Sequence, residues 1–304
     1  MQKKWFVIIN PTSGNGKSLK RINFIKKQLK IQQIPFTIVT TKYRYHEILL
    51  VQNAIKQGFN KFINVGGDGT LHYIINGIML QKNIITNTIK IAVIPVGTGN
   101  DWVKTYKIPT NIKKTIEIIK KENTIYQDIG YLKLLDTNKI HYFNNIAGIG
   151  FDAYVVTKLS KLKKLGSISY LLAGLIGFLN YKKSKILIHI KDKKITSKIF
   201  MISIGLCKYS GGGMQLTDYK NHKPSFFDIT LIKNITLSKV ILNIKKLYNG
   251  SIFTLKEVEK YQVKKIKIRN LNTKIPFYIQ ADGELLGKGN VDISIIKNAI
   301  QFIV

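Results

Sequence analysis

The sequence predicts two domains: an α/β domain with a mostly parallel sheet and glycine-rich loops over residues 1–124, and a β-rich, sandwich-like domain over 125–289. Three observations carry this. The chain has 304 residues, more than one compact domain usually holds. Up to about residue 123, short apolar strands alternate with stretches of helical periodicity, the pattern of a parallel sheet covered on both faces. Past Thr124 the texture changes to short strands paired around polar turns.

Trp5 to Asn10 reads as an apolar strand, followed by a helix in which Ser18 is the N-cap and Leu19, Ile22, Ile25 and Leu29 share one face. After Pro35 come a strand at Phe36 to Thr41 and a helix from His46 to Gln57, closed by Gly58. Phe62 to Val65 is the third strand and Gly66 to Thr70 a loop; Leu71, Ile74, Ile75 and Ile78 mark the next helix, and Ile89 to Ile94 the fourth strand. In the second domain, Ile129 to Leu135 and Lys139 to Asn145 flank a turn at Asp136 to Asn138, and Lys185 to Ile190 with Lys194 to Ile204 flank Asp192 and Lys193. Strands follow at Phe227 to Ile232, Val263 to Arg269, Phe277 to Ala281 and Val291 to Ile296, and a helical region at Ala153 to Leu179 interrupts the series.

Composition excludes several classes. Cys207 is the only cysteine, so an intramolecular disulfide and a cysteine-based zinc cluster are ruled out, and a reducing compartment is expected. The five histidines, His72 and His189 among them, form no ligand-spaced pair. Asn10 and Pro11 end the first apolar stretch before a signal segment forms. The longest uncharged run, Ile168 to Leu179, would reach about 18 Å as a helix, against roughly 30 Å of hydrocarbon. The formal charge is +33, almost wholly from lysine. It reflects either lysines spread over solvated faces or attraction to a polyanion, nucleic acid or anionic lipid. Arg21, Arg44 and Arg269 are the only arginines, which argues against specific base reading.

Three glycine-rich loops each follow a strand: Asn10 to Gly14, Gly66 to Thr70, and Pro95 to Asp101. In a parallel sheet those strand ends share one edge, where ligands bind and where glycines let N–H groups approach phosphate oxygens. Together they predict a phosphate site. Gly16-Lys17-Ser18 imitates the end of a P-loop, but the leading glycine would fall on Pro11. Gly148 to Ala153 imitates a dinucleotide fingerprint, but no acidic residue lies between Asp152 and Asp192 to hold a ribose.

The segments NPTSG (10–14), GGDGT (66–70), PVGTGND (95–101), FNNIAGIGFDA (143–153), LGSISYLLAGL (165–175), GGGM (211–214) and ADGE (281–284), in this order, resemble the bacterial diacylglycerol kinases and related lipid kinases, which share a fold with NAD kinases. The resemblance covers nearly the whole chain. It implies that the strands at about 290–304 return to complete the first domain. It also places ATP phosphates on Asn10, Pro11, Thr12, Ser13 and Gly14 and on Gly66, Gly67, Asp68, Gly69 and Thr70, with Thr41, Thr98 and Asn100 near the nucleotide and Lys17 as a phosphate partner. Asp68 and Asp101 are implied as Mg²⁺ ligands, and Asp282 and Glu284 as the catalytic carboxylates. Of these two, Glu284 is expected to be the base and Asp282 its orienting or metal-side partner, an i, i+2 spacing on a strand or tight turn aiming both side chains to one face. One departure stands out: Pro224 and Ser225 replace an Asp-Gly pair before Asp228, which puts a second, structural Mg²⁺ in doubt.

The implied activity is ATP-dependent phosphorylation of diacylglycerol to phosphatidate. Sphingoid bases or another membrane lipid, NAD, and non-catalytic lipid or nucleic-acid binding are the alternatives. The expected setting is cytoplasmic, on the inner face of an anionic membrane, without specific nucleic acid and with a homodimer allowed. Lys158, Lys161, Lys163, Lys164, Lys182, Lys183 and Lys185 around the apolar run at 168–179 are the expected docking charges.

Overall fold

The computed structural model describes residues 4–159, 174, 177–219 and 223–304. The segment 165–173, most of the apolar run from Ile168, and Lys161, Lys163 and Lys164 lie outside the described residues. The chain divides into two compact units, residues 1–129 with 297–304, and residues 130–296.

The first unit runs β1 (Trp5–Ile9), α1 (Lys17–Ile31), β2 (Phe36–Thr40), α2 (His46–Lys56), β3 (Lys61–Gly66), α3 (Asp68–Leu80), β4 (Lys90–Pro95), α4 (Asp101–Thr105) and α5 (Ile112–Lys121), and shares β5 (Thr124–Leu134) with the second. Its sheet is parallel in the order β2-β1-β3-β4, and the end of the chain adds a parallel partner to β4 through Gln301 and Phe302. Because β1 pairs with β2 on one side and β3 on the other, the chain order reverses at β1, and a crevice opens at the carboxyl ends of β1 and β3. All five residues of β1 are buried, as a central parallel strand requires. Ile25 and Leu29 of α1 and Ile112, Ile116 and Ile119 of α5 join the same core. Trp102 packs on Phe302, ring centroids 4.6 Å apart, and donates from Nε1 to Gln127 Oε1 at 2.9 Å.

In the second unit, β6 (Ile140–Phe143) pairs with β5. Then come β7 (Ile146–Gly150), α6 (Phe151–Leu159), β8 (Ser184–Ile190), β9 (Lys193–Ile199), β10 (Met201–Gly205), β11 (Phe227–Ile232), α7 (Leu237–Leu242), α8 (Ile244–Asn249), β12 (Val258–Val263), β13 (Lys265–Asn270), β14 (Tyr278–Ala281) and β15 (Glu284–Lys288). The long β16 (Val291–Ile303) starts here and ends in the first unit. One antiparallel layer is β16-β13-β8-β9; the other is β12-β11-β10-β7-β14-β15. Ile186, Ile188, Ile266 and Ile268 of the first layer share one core with Ile149, Ile202, Ile204 and Ile279 of the second, which makes this a β-sandwich. Each such side chain contributes roughly 1.5–3 kcal/mol by leaving water.

Several elements differ from the sequence reading. Ser18 is not the N-cap: α1 starts at Lys17 behind Gly16, and the buried Ser18 hydroxyl donates to the carbonyls of Asn10 and Ser13. Asp68, Gly69 and Thr70 form the first turn of α3, not a loop. The strand expected over 194–204 is two strands in different layers, broken at Phe200, and the one expected over 263–269 is two strands separated by Lys264. Among the described residues, no helix is long and apolar enough to cross a membrane.

Candidate active site

The three glycine-rich loops are joined to one another at the carboxyl ends of β1, β3 and β4. Asn10 donates from Nδ2 to Thr70 Oγ1 at 3.1 Å, and its Oδ1 accepts from the Thr12 N–H and hydroxyl at 3.1 and 2.8 Å. The Gly66 carbonyl accepts from the N–H groups of Val96 and Gly97, and the Asp68 N–H donates to the Gly99 carbonyl at 3.0 Å. Asn100 closes the third loop on itself, Nδ2 to Gly97 carbonyl, 2.6 Å. Thr41 is buried, its N–H on the Ile9 carbonyl, while Lys17 and Thr98 are exposed. The first turn of α3 has N–H groups with no acceptor inside the helix, and they face the loop edge with the positive end of the helix dipole. Helix starts of this kind favour phosphate oxygens. Pro11, Ser13 and Gly14 complete the first loop, where the Ser13 N–H donates to the Asn10 carbonyl.

The approach of the second and third loops depends on two glycines. A Cβ on Gly97 would lie 2.4 Å from the Gly67 Cα, and one on Gly67 would lie 2.6 Å from the Gly99 carbonyl oxygen. Both obstacles are backbone, so neither can give way locally. Gly97→Ala is therefore expected to part the loops and weaken ATP binding at least tenfold, a loss of about 1.4 kcal/mol, with the second unit unaffected. Calorimetric titration with ATP and Mg²⁺ checks this; unchanged affinity would remove the third loop from the site.

The expected metal ligands have other partners. The Asp68 carboxylate accepts the N–H groups of Asp101 (2.8 Å) and Trp102 (3.3 Å), capping the first turn of α4. The Asp101 carboxylate is almost fully buried and pairs with Lys104 at 3.1 Å. No group of three or more metal-ligating side chains occurs among the described residues. The Asp68 carboxylate thus pins the third loop to the second, and the Asp101 carboxylate pairs within α4. Asn64, buried in β3 beneath this turn, was not singled out from sequence; its Oδ1 has no hydrogen-bond partner among the described residues. A carboxamide in an otherwise apolar strand was the available signal.

In the second unit, Asp282 and Gly283 form the two-residue turn between β14 and β15, with φ of 52° and 82°, the left-handed pair of a type I′ hairpin. The nearly buried Asp282 carboxylate accepts three backbone N–H groups, from Asn144 (3.2 Å), Asn145 (3.0 Å) and Ile146 (3.2 Å). Its own N–H returns to the Ile146 carbonyl at 2.9 Å. It thus locks the β6–β7 corner to the β14–β15 turn. Asp282 faces the β6–β7 backbone, and Glu284, half-exposed, opens β15 paired with Ala281.

Where Pro224 and Ser225 stand, Ser225 takes the left-handed conformation (φ 61°) in a turn before β11. The carboxylates nearby are held by β12: Lys260 pairs with Asp218 at 2.7 Å, and Gln262 Nε2 donates to buried Asp228 at 2.9 Å.

Glycine-rich loops at the strand ends of a parallel sheet, followed in the chain by a β-sandwich, are the two units of this chain. Residues 4–132 match the diacylglycerol kinase catalytic domain, and residues 145–304 match the YegS C-terminal NAD kinase β-sandwich-like domain. The chain belongs to the lipid kinase family that carries these two domains. It is 28% identical to YtlR of Bacillus subtilis (strain 168) over 297 residues, 93% of this chain and 94% of that protein. It is 25% identical to a diacylglycerol kinase of Staphylococcus saprophyticus over 299 residues, 95% of this chain and 91% of that one. A crystal structure of a diacylglycerol kinase from Bacillus anthracis strain Sterne shares the fold, with a TM-score of 0.74 at 19% identity, covering 99% of this chain and 96% of the other.

Proposed function

We propose that the chain transfers the terminal phosphoryl group of ATP to the hydroxyl of a membrane lipid, with diacylglycerol as acceptor and phosphatidate and ADP as products. The observation that carries this reading is the joined set of loops at the switch point of the parallel sheet, with the first turn of α3 aimed into it. Mg²⁺ enters as part of the MgATP substrate and offsets phosphate charge. The residues at Asn10 to Gly14 and Gly66 to Thr70 bind and orient the phosphates, so that N–H groups and the helix dipole receive the charge that develops on the transferring group. Glu284 accepts the proton of the lipid hydroxyl as the new P–O bond forms and the bond to ADP breaks. Asp282 holds the turn that presents Glu284.

Acceptor class is the discriminating property. Labelled ATP and Mg²⁺ with diacylglycerol, a sphingoid base and another membrane lipid in mixed micelles, beside soluble NAD, should label the lipid fraction, diacylglycerol most. Label appearing on NAD without any lipid surface would refute the lipid reading. Docking is proposed to be electrostatic, with exposed Lys158, Lys182 and Lys185 facing an anionic leaflet. Activity on anionic vesicles should then fall as salt is raised; salt independence would remove the lysines from the role.

A further inference from the structure

Asn64 stands in the middle of β3, where its cross-strand partners are Ile8 and Val93, both buried and apolar. Its side chain is fully buried, and its Oδ1 has no hydrogen-bond partner among the described residues. The Nδ2 end reaches only the Gly67 carbonyl, at 3.5 Å. A buried acceptor left unpaired lowers stability, and an apolar residue like its neighbours would avoid that loss. The carboxamide is an unmet acceptor beneath the start of α3.

The Thr70 hydroxyl is the donor that borders it. A Cβ built on Gly66 would lie 2.6 Å from Thr70 Oγ1 and 3.1 Å from Asn64 Oδ1, so the bare face of Gly66 is the space between the two oxygens. Thr70 is itself buried, and its Oγ1 accepts from Asn10 Nδ2 at 3.1 Å. A hydroxyl that accepts on one side can turn its own proton to the other.

We propose that Asn64 is a positioning residue for the phosphate loops: when ATP with Mg²⁺ draws the Asn10 loop and the first turn of α3 together, the Thr70 hydroxyl closes on Asn64 Oδ1. The hydrogen bonds then run from Asn10 through Thr70 to Asn64, each polarising the next, and fix the Asn10 carboxamide. The unpaired acceptor belongs to the empty site and the paired one to the loaded site, so ATP favours the state in which Asn64 is satisfied. The inference rests on the reading of these loops as the ATP site.

The test is calorimetric titration of the full chain with ATP and Mg²⁺, beside thermal unfolding without nucleotide, for wild type, Asn64→Val, Thr70→Val and the double variant. Asn64→Val should raise the thermal midpoint of the nucleotide-free protein by at least about 2 °C and weaken ATP binding at least about fivefold. A merely structural carboxamide would lower the midpoint instead. In the Thr70→Val background, where the donor is gone, Asn64→Val should change ATP affinity by less than about twofold. Asn64→Leu repeats the measurement if Asn64→Val does not fold, and failure of both to fold marks a structural carboxamide and overturns the proposal. So does a lowered midpoint, an unchanged ATP affinity, or an equal loss with and without the Thr70 hydroxyl. Wild type that binds ATP but phosphorylates no lipid overturns the kinase reading and leaves this test standing; lipid phosphorylation with Asn64→Val binding ATP as wild type does overturns the proposal alone.

Discussion

Glu284→Gln is expected to lower the rate of lipid phosphorylation by about 10²- to 10⁴-fold, the usual worth of a general base, and to leave ATP affinity nearly unchanged. The substitution keeps the shape of the side chain and removes only its capacity to accept a proton. The backbone pairing of Glu284 with Ala281 is retained, so the turn should stay in place. The loops proposed to hold the phosphates, Asn10 to Gly14 and Gly66 to Thr70, are untouched. Steady-state rates on diacylglycerol micelles with parallel ATP titration check both halves. A variant retaining more than about a tenth of wild-type activity would remove Glu284 from the role of base.

Asp282→Asn is expected to act through stability. A carboxylate can receive three backbone N–H groups; an amide brings two hydrogens of its own and must leave at least one of those N–H groups facing a donor. Each buried N–H left unsatisfied costs about 1–3 kcal/mol, which for a unit of this size lowers the thermal midpoint by roughly 2–12 °C. Activity should fall with it, and recover in part on cooling. If Asp282→Asn instead melts with wild type and has lost nearly all turnover, Asp282 and not Glu284 is the base.

Much of the first unit could be read from sequence because its signals are local. A five-residue run such as Trp5 to Ile9 must be buried on both faces, and a central parallel strand is the element that does this. Helix starts were less legible. Ser18 before an apolar periodicity imitates an N-cap, but its hydroxyl serves the loop at Asn10 and Ser13. The GGDGT segment is dense in turn residues, so Asp68 to Thr70 read as loop, although the Asp68 N–H has an acceptor at Gly99 that lets α3 begin there. Helix α5, absent from the sequence reading, carries a local signal of its own, Asn111 accepting from the Lys114 N–H ahead of Ile112, Ile116 and Ile119.

The candidate site was legible in its residues and not in their partners. The loop motifs name Asp68, Asp101, Asp282 and Glu284, but the partners of Asp282 lie 136 to 138 positions away, and those of Asp68 more than 30. Spacing along the chain carries no information on such pairs. The split at Phe200 has a local reason that periodicity hinted at: from Lys194 to Ile199 exposed residues alternate with half-buried or buried ones, whereas Met201 to Gly205 is buried throughout, as a strand covered on both faces is. Pro224 could be seen to lack a carboxylate. That Lys260 holds Asp218 could not.

The transfer of the terminal phosphate of labelled ATP to diacylglycerol, followed in one preparation each of wild type, Glu284→Gln and Gly97→Ala, tests the lipid kinase assignment most directly. Labelled phosphatidate should form with wild type, fall by two or more orders of magnitude with Glu284→Gln at saturating ATP, and return partly with Gly97→Ala only as ATP is raised. Wild-type protein that binds ATP and Mg²⁺ yet labels no lipid, or equal labelling by all three proteins, would contradict it.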